Sequence, residues 1–93
     1  MNTNQVIVVG KVTMICMKGN KPFLIVNTNG TEVRFDFNFT EDEAKKAMLN
    51  LKAGNTVGVK GEIRWDGSAN GYYFEGQEVA FIPEKQEGDD LVS

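Results

Sequence analysis

The chain has 93 residues, of which 41% are hydrophobic and 25% charged, an ordinary globular balance that predicts one compact domain and excludes collagen-like or low-complexity organisation. Its longest aliphatic run, Val6-Ile7-Val8-Val9, is far short of the roughly 20 apolar residues a membrane helix needs. A single cysteine and no histidine remove Ser-His-Asp and Cys-His nucleophiles, HExxH zinc sites and any internal disulfide, so a cofactor-free binding protein of the reducing cytoplasm is expected rather than an enzyme.

Residues 5–17 are rich in β-branched side chains. Val6, Val8 and Val12 share one parity and Ile7, Val9 and Ile15 the other, which predicts a first strand buried on both faces, with a bulge or bend at Gly10. A turn at residues 18–21 leads to a second strand over residues 23–28. Asn29-Gly30 then has the form of a two-residue type I′ hairpin, because both residues tolerate positive φ. The third strand, residues 31–39, alternates clearly: Val33, Phe35, Phe37 and Phe39 face one way, and Glu32, Arg34, Asp36 and Asn38 the other.

The period changes at Thr40. Thr40-Glu41-Asp42-Glu43 has the form of a capping box, and its acids suit the positive end of a helix dipole, which explains them better than catalysis does. Ala44, Ala47, Met48 and Leu51 then form one apolar stripe on a short helix ended by Gly54. A fourth strand over residues 56–65, a six-residue hairpin loop and a fifth strand over residues 72–82 complete the chain. Three strands, a helix and two strands predict an all-β fold: the five-stranded Greek-key barrel of the OB-fold, with one short helix between strands 3 and 4.

Charge divides by position. Four of the 13 carboxylates but one of the 10 basic side chains fall in residues 84–93, so residues 1–83, the expected barrel domain, are balanced. The last ten residues follow Pro83 and contain no aromatic residue and no hydrophobic periodicity, which predicts a disordered acidic tail.

Val6-Ile7-Val8-Val9-Gly10-Lys11-Val12 resembles the first strand of the bacterial single-stranded DNA-binding proteins and their OB-fold relatives of the primosomal replication-protein type. Leu51-Lys52-Ala53-Gly54-Asn55-Thr56-Val57-Gly58-Val59-Lys60-Gly61 is similar to that family's Leu-x-x-Gly-x-x-Val-x-Val-x-Gly pattern. Glu78-Val79-Ala80-Phe81-Ile82 is similar to its closing strand, and the acidic tail to its tail. The resemblance covers residues 5–82 with gaps in the loops. It implies a role in DNA replication or recombination, single-stranded DNA or RNA as partner, and a homo-oligomer. It also implies replication or recombination proteins docked through the tail. The chain ends Asp89-Asp90-Leu91-Val92-Ser93, where the family has acidic residues followed by Ile-Pro-Phe, and it lacks a long Gly/Gln-rich linker, as a shortened, phage-like relative would.

Holding a single strand requires rings for bases to stack on and cations along the backbone path. Phe35, Phe37, Phe74 and Phe81 are expected in the core. The resemblance puts a base-stacking aromatic at Phe39. Trp65, Tyr72 and Tyr73 flank the last hairpin, which borders the OB groove, and either stack on bases, pack the hairpin against the barrel or form a dimer contact. The candidate cations are Lys11, Lys18, Lys21, Arg34, Lys60 and Arg64. Their alternative is a mixed-charge solvated surface, and the neutral body favours a protein-interaction module with little nucleic-acid affinity as the second functional reading.

Overall fold

The computed structural model describes residues 4–19, 21–65, 67 and 71–83. They form strands β1 (Gln5–Cys16), β2 (Phe23–Thr28) and β3 (Thr31–Phe37), helix α1 (Glu41–Ala47), and strands β4 (Thr56–Trp65) and β5 (Tyr72–Ile82). The strands close into a barrel in the order β1-β2-β3-β5-β4, with β1 pairing back to β4. All pairs are antiparallel except β3 with β5. This order, with the helix between β3 and β4, is that of the OB-fold. The expected tail, residues 84–93, lies outside the described residues. Among the described residues, no helix is long and apolar enough to cross a membrane.

Alternation builds the core. Val12, Leu24, Val26, Phe35, Phe37, Val57 and Val59 are buried in one cluster, each from the inward parity of its strand, and full burial of such side chains is worth roughly 1.5–3 kcal/mol apiece. Phe37 lies beside Gly76 in the parallel β3/β5 register. A Cβ at Gly76 would collide with the Phe37 ring, so glycine is what lets this ring lie against the neighbouring strand.

The capping box at Thr40 is formed: the Glu43 amide donates to Thr40 Oγ1 at 3.1 Å and the Thr40 amide to Glu43 Oε1 at 2.9 Å. Ala44 and Met48 join the barrel core. The helix is shorter than expected. It ends at Ala47, because Met48 leaves helical geometry at φ −115° and Asn50 turns left-handed at φ 65°. Leu51 is nevertheless buried, carried there by the turn.

Three further expectations need correction. β3 stops at Phe37 rather than residue 39, as its pairing with β5 ends at Phe37↔Gly76. The break in β1 falls between Val12 and Met14, where the register with β2 shifts; Gly10 instead sits where a Cβ would meet the Asn27 carbonyl, so it serves close strand approach. Finally, β1 is covered on one face only. Ile7 is 72% and Val9 51% exposed, and Phe81, expected in the core, is 55% exposed near the end of β5.

Candidate nucleic-acid interface

The hairpin between β4 and β5 reaches past the barrel wall. These strands pair from Thr56↔Ile82 out to Trp65↔Tyr72. The register of β1 with β4 ends at Gln5↔Glu62, and the pairing of β3 with β5 begins only at Phe35↔Phe74. The last rungs therefore have no strand beside them. Asn4 braces the base of this extension, donating from its side-chain amide to the Ile63 carbonyl at 2.7 Å and accepting from the Ile63 amide at 3.0 Å.

This projection explains why Trp65 is exposed although it shares the inward parity of Val57 and Val59: at its height there is no barrel interior to enter. Trp65 is 60% and Tyr72 71% exposed, and the two rings meet edge-on with centroids 4.9 Å apart. Tyr73 points the other way along the strand, toward the outer surface of β3.

Between the hairpin and β3 lies an open groove of about 700 Å³. Trp65, Tyr73, Lys21 and Arg34 line it together with Asp36 and Glu75, the last two being partners across the parallel β3/β5 register. Arg34 lies 4.0 Å over the Phe23 ring and donates from Nε to Asp36 Oδ1 at 3.0 Å. Arg64 donates from Nε to Glu75 Oε1 at 3.0 Å and bridges to Glu62 at 2.7 Å. The hydrogen bond that Arg64 donates to Glu75 and then the charge of Glu62 hold the Arg64 pKa above its ordinary value. Pairs this exposed add little stability.

The sequence-derived candidates therefore separate. Lys21, Arg34, Trp65 and Tyr73 share the groove. Tyr72 lines an adjoining hollow with Arg34 and Tyr73, and Arg64 is tied to the groove through Glu75. Lys18 is exposed in the β1–β2 turn, whose Gly19 amide donates to Glu41 Oε1 at 3.2 Å. Phe39 is half-buried, 5.0 Å from Phe37 and packed against the core. Lys60 stands on β4 between Ile7 and Glu78. Lys11 lines a different hollow beside Asn29, Gly30 and Gly54.

Sequence reasoning passed over Asp36 and Glu75. Strand parity already placed Asp36 beside Arg34 on the outer face. Glu75 joins them only through the β3/β5 pairing, which no local pattern announces.

No protein-family profile matches the chain, and no curated protein matches it in sequence. Solved structures do resemble it in shape. The mitochondrial single-stranded DNA binding protein Rim1 from S. cerevisiae superposes with a TM-score of 0.66 at 8% identity, over 92% of this chain and 100% of that one. The S. pombe Stn1-Ten1 complex gives 0.65 at 22% identity, over 95% of this chain and 63% of its counterpart. A chain assigned as an aspartyl-tRNA synthetase from Leishmania major Friedlin gives 0.67 at 12% identity over 88% of this chain. This protein spans only 18% of that synthetase's length. The likeness is one of fold.

Proposed function

We propose that the protein is a non-enzymatic single-stranded DNA-binding protein that coats exposed strands during replication or recombination. The observation that carries this reading is the groove itself, where two exposed rings, Trp65 and Tyr73, stand with Lys21 and Arg34 on one side of the barrel. Stacking supplies about 1–3 kcal/mol per base and asks little of base identity, while the cations guide the backbone. Lys18 is a further exposed cation in the same turn as Lys21, and Tyr72 offers a further ring at the hairpin. The likeness to Rim1 supports the reading at the level of fold.

The chain's single tryptophan makes the test direct. Titration with a mixed-sequence 12-mer at low salt is expected to quench Trp65 fluorescence, and the quenching is expected to be reversed by salt. Absence of both quenching and a mobility shift at micromolar protein rejects the proposal.

A second feature favours self-association. Ile7, Val9 and Ile82 stand on the outer face of β1, β4 and β5 around Gly58, where a Cβ would lie 3.5 Å from Ile82 and 3.8 Å from Val9. Lys60 and Glu78, paired across β4 and β5, border this face with opposite charges. A second copy fits such a self-complementary surface, and a homo-oligomer would bring several weak grooves to one strand. If a different protein covers this face and no DNA binds, the protein-interaction module is the correct reading.

A further inference from the structure

The groove is less basic than a phosphate track requires. Asp36 and Glu75 lie side by side in it, and each uses one carboxylate oxygen on an arginine: Asp36 Oδ1 accepts from Arg34, and Glu75 Oε1 from Arg64. Among the described residues, the second oxygen of each has no hydrogen-bond partner. A phosphate entering here would face two acceptors and two cations already engaged. Lys21, with no ion pair among the described residues, lines the same groove and is the better phosphate contact. Phosphates therefore suit the Lys21 rim, and bases stacked on Trp65 and Tyr73 suit the side of the carboxylates.

Base edges differ in what they offer such acceptors. Cytosine and adenine each present an exocyclic amine, and guanine presents two donors, N1–H and N2–H, on one edge, twice what the others offer to the free oxygens of Asp36 and Glu75. Thymine presents one N–H between two carbonyl oxygens, so its lone pairs meet those of the acids.

We propose that the groove discriminates among bases, favouring guanine, accepting cytosine and adenine, and disfavouring thymine, through the free carboxylate oxygens of Asp36 and Glu75. This rests on the single-strand-binding reading and sharpens it from sequence-tolerant stacking to a selective site.

The test compares fluorescein-labelled 12-mers by polarisation with the unaltered protein: all-thymine, and the same oligonucleotide with four thymines replaced by isolated guanines or by cytosines. Isolation of the guanines prevents quadruplex formation. The guanine-bearing strand is expected to bind about tenfold tighter than all-thymine, with cytosine between them. An Asp36→Asn, Glu75→Gln variant, checked for folding by circular dichroism, is expected to level the guanine-to-thymine ratio to within about twofold, since each amide gives thymine a donor. Equal affinity for all three strands, or tighter binding of thymine, overturns the selectivity while leaving single-strand binding in place. Retention of the ratio by a folded variant overturns the role of the two acids. Failure of every strand to bind removes the functional reading itself.

Discussion

Two open faces of the same barrel wall are built from different side chains. Around Gly58, on the outer face of β1, β4 and β5, the exposed hydrophobic side chains Ile7, Val9 and Ile82 are aliphatic, with Lys60 and Glu78 at the border. On the side of β3 and the projecting hairpin they are rings, Trp65, Tyr72 and Tyr73, set among arginines paired to carboxylates. Aliphatic side chains gain only by excluding water, so they need a broad, dry, fitting partner. Rings present flat faces and polar edges, so a polymer of stacked bases satisfies them one unit at a time. One wall thus suits a protein surface and the other a nucleic-acid strand, although both lie on one short chain.

The largest expected effect breaks the second wall alone. With about 1–3 kcal/mol per stacked base, Trp65→Ala with Tyr73→Ala should weaken binding of a labelled 12-mer by roughly a hundredfold, read by fluorescence polarisation. Mass by light scattering should not change. Equal loss of mass and affinity would show that the two walls are one interface.

Breaking the first wall gives the reciprocal result. Val9→Asp, with Ile7→Asp as a second variant, places a charge where a copy would have to dry it, at a cost of several kcal/mol. The molar mass should fall to the 10.3 kDa of one chain. Affinity for a strand short enough to fill one groove should stay within about threefold. An unchanged mass would remove self-association through this face.

Thr40→Ala touches neither wall. Loss of the cap should cost about 1 kcal/mol and lower the melting temperature by about 4–8 °C, with affinity and mass preserved in the folded protein. A drop in affinity beyond the folded fraction would tie the helix start, through Glu41 and Gly19, to the position of the Lys21 turn.

What the sequence reveals, and what it does not, follows the range of the interactions. β2, β4 and β5 have the bounds that local alternation predicts, because parity and the turn residues beside them are both short-range. The capping box and the Asn29-Gly30 turn, with φ 53° and 87°, are legible for the same reason. Parity alone overran β3, whose end is set by where β5 stops pairing. It also misjudged Ile7, Val9 and Phe81, since alternation tells which residues share a face but not whether anything covers it. The aromatic side of the candidate site was visible because Trp65, Tyr72 and Tyr73 flank one hairpin. Its acidic side was hidden, because Asp36 and Glu75 meet only through a parallel pairing of strands separated by α1 and β4.

The smallest effect is the most discriminating about how a strand lies in the groove. A cation that neutralises a phosphate contributes about 0.7 to the slope of log affinity against log salt for single strands. Lys21 has no ion pair among the described residues, whereas Arg34 already neutralises Asp36 at 3.0 Å. A phosphate reaching Arg34 must compete with that carboxylate, so few counterions leave. Lys21→Gln should therefore flatten the salt slope by about 0.7 and weaken binding a few-fold at low salt. Arg34→Gln should flatten it less. The opposite ranking would place the phosphates beside Asp36 and Glu75 and the bases outside, and the assignment of rings and acids to the bases would have to be reversed.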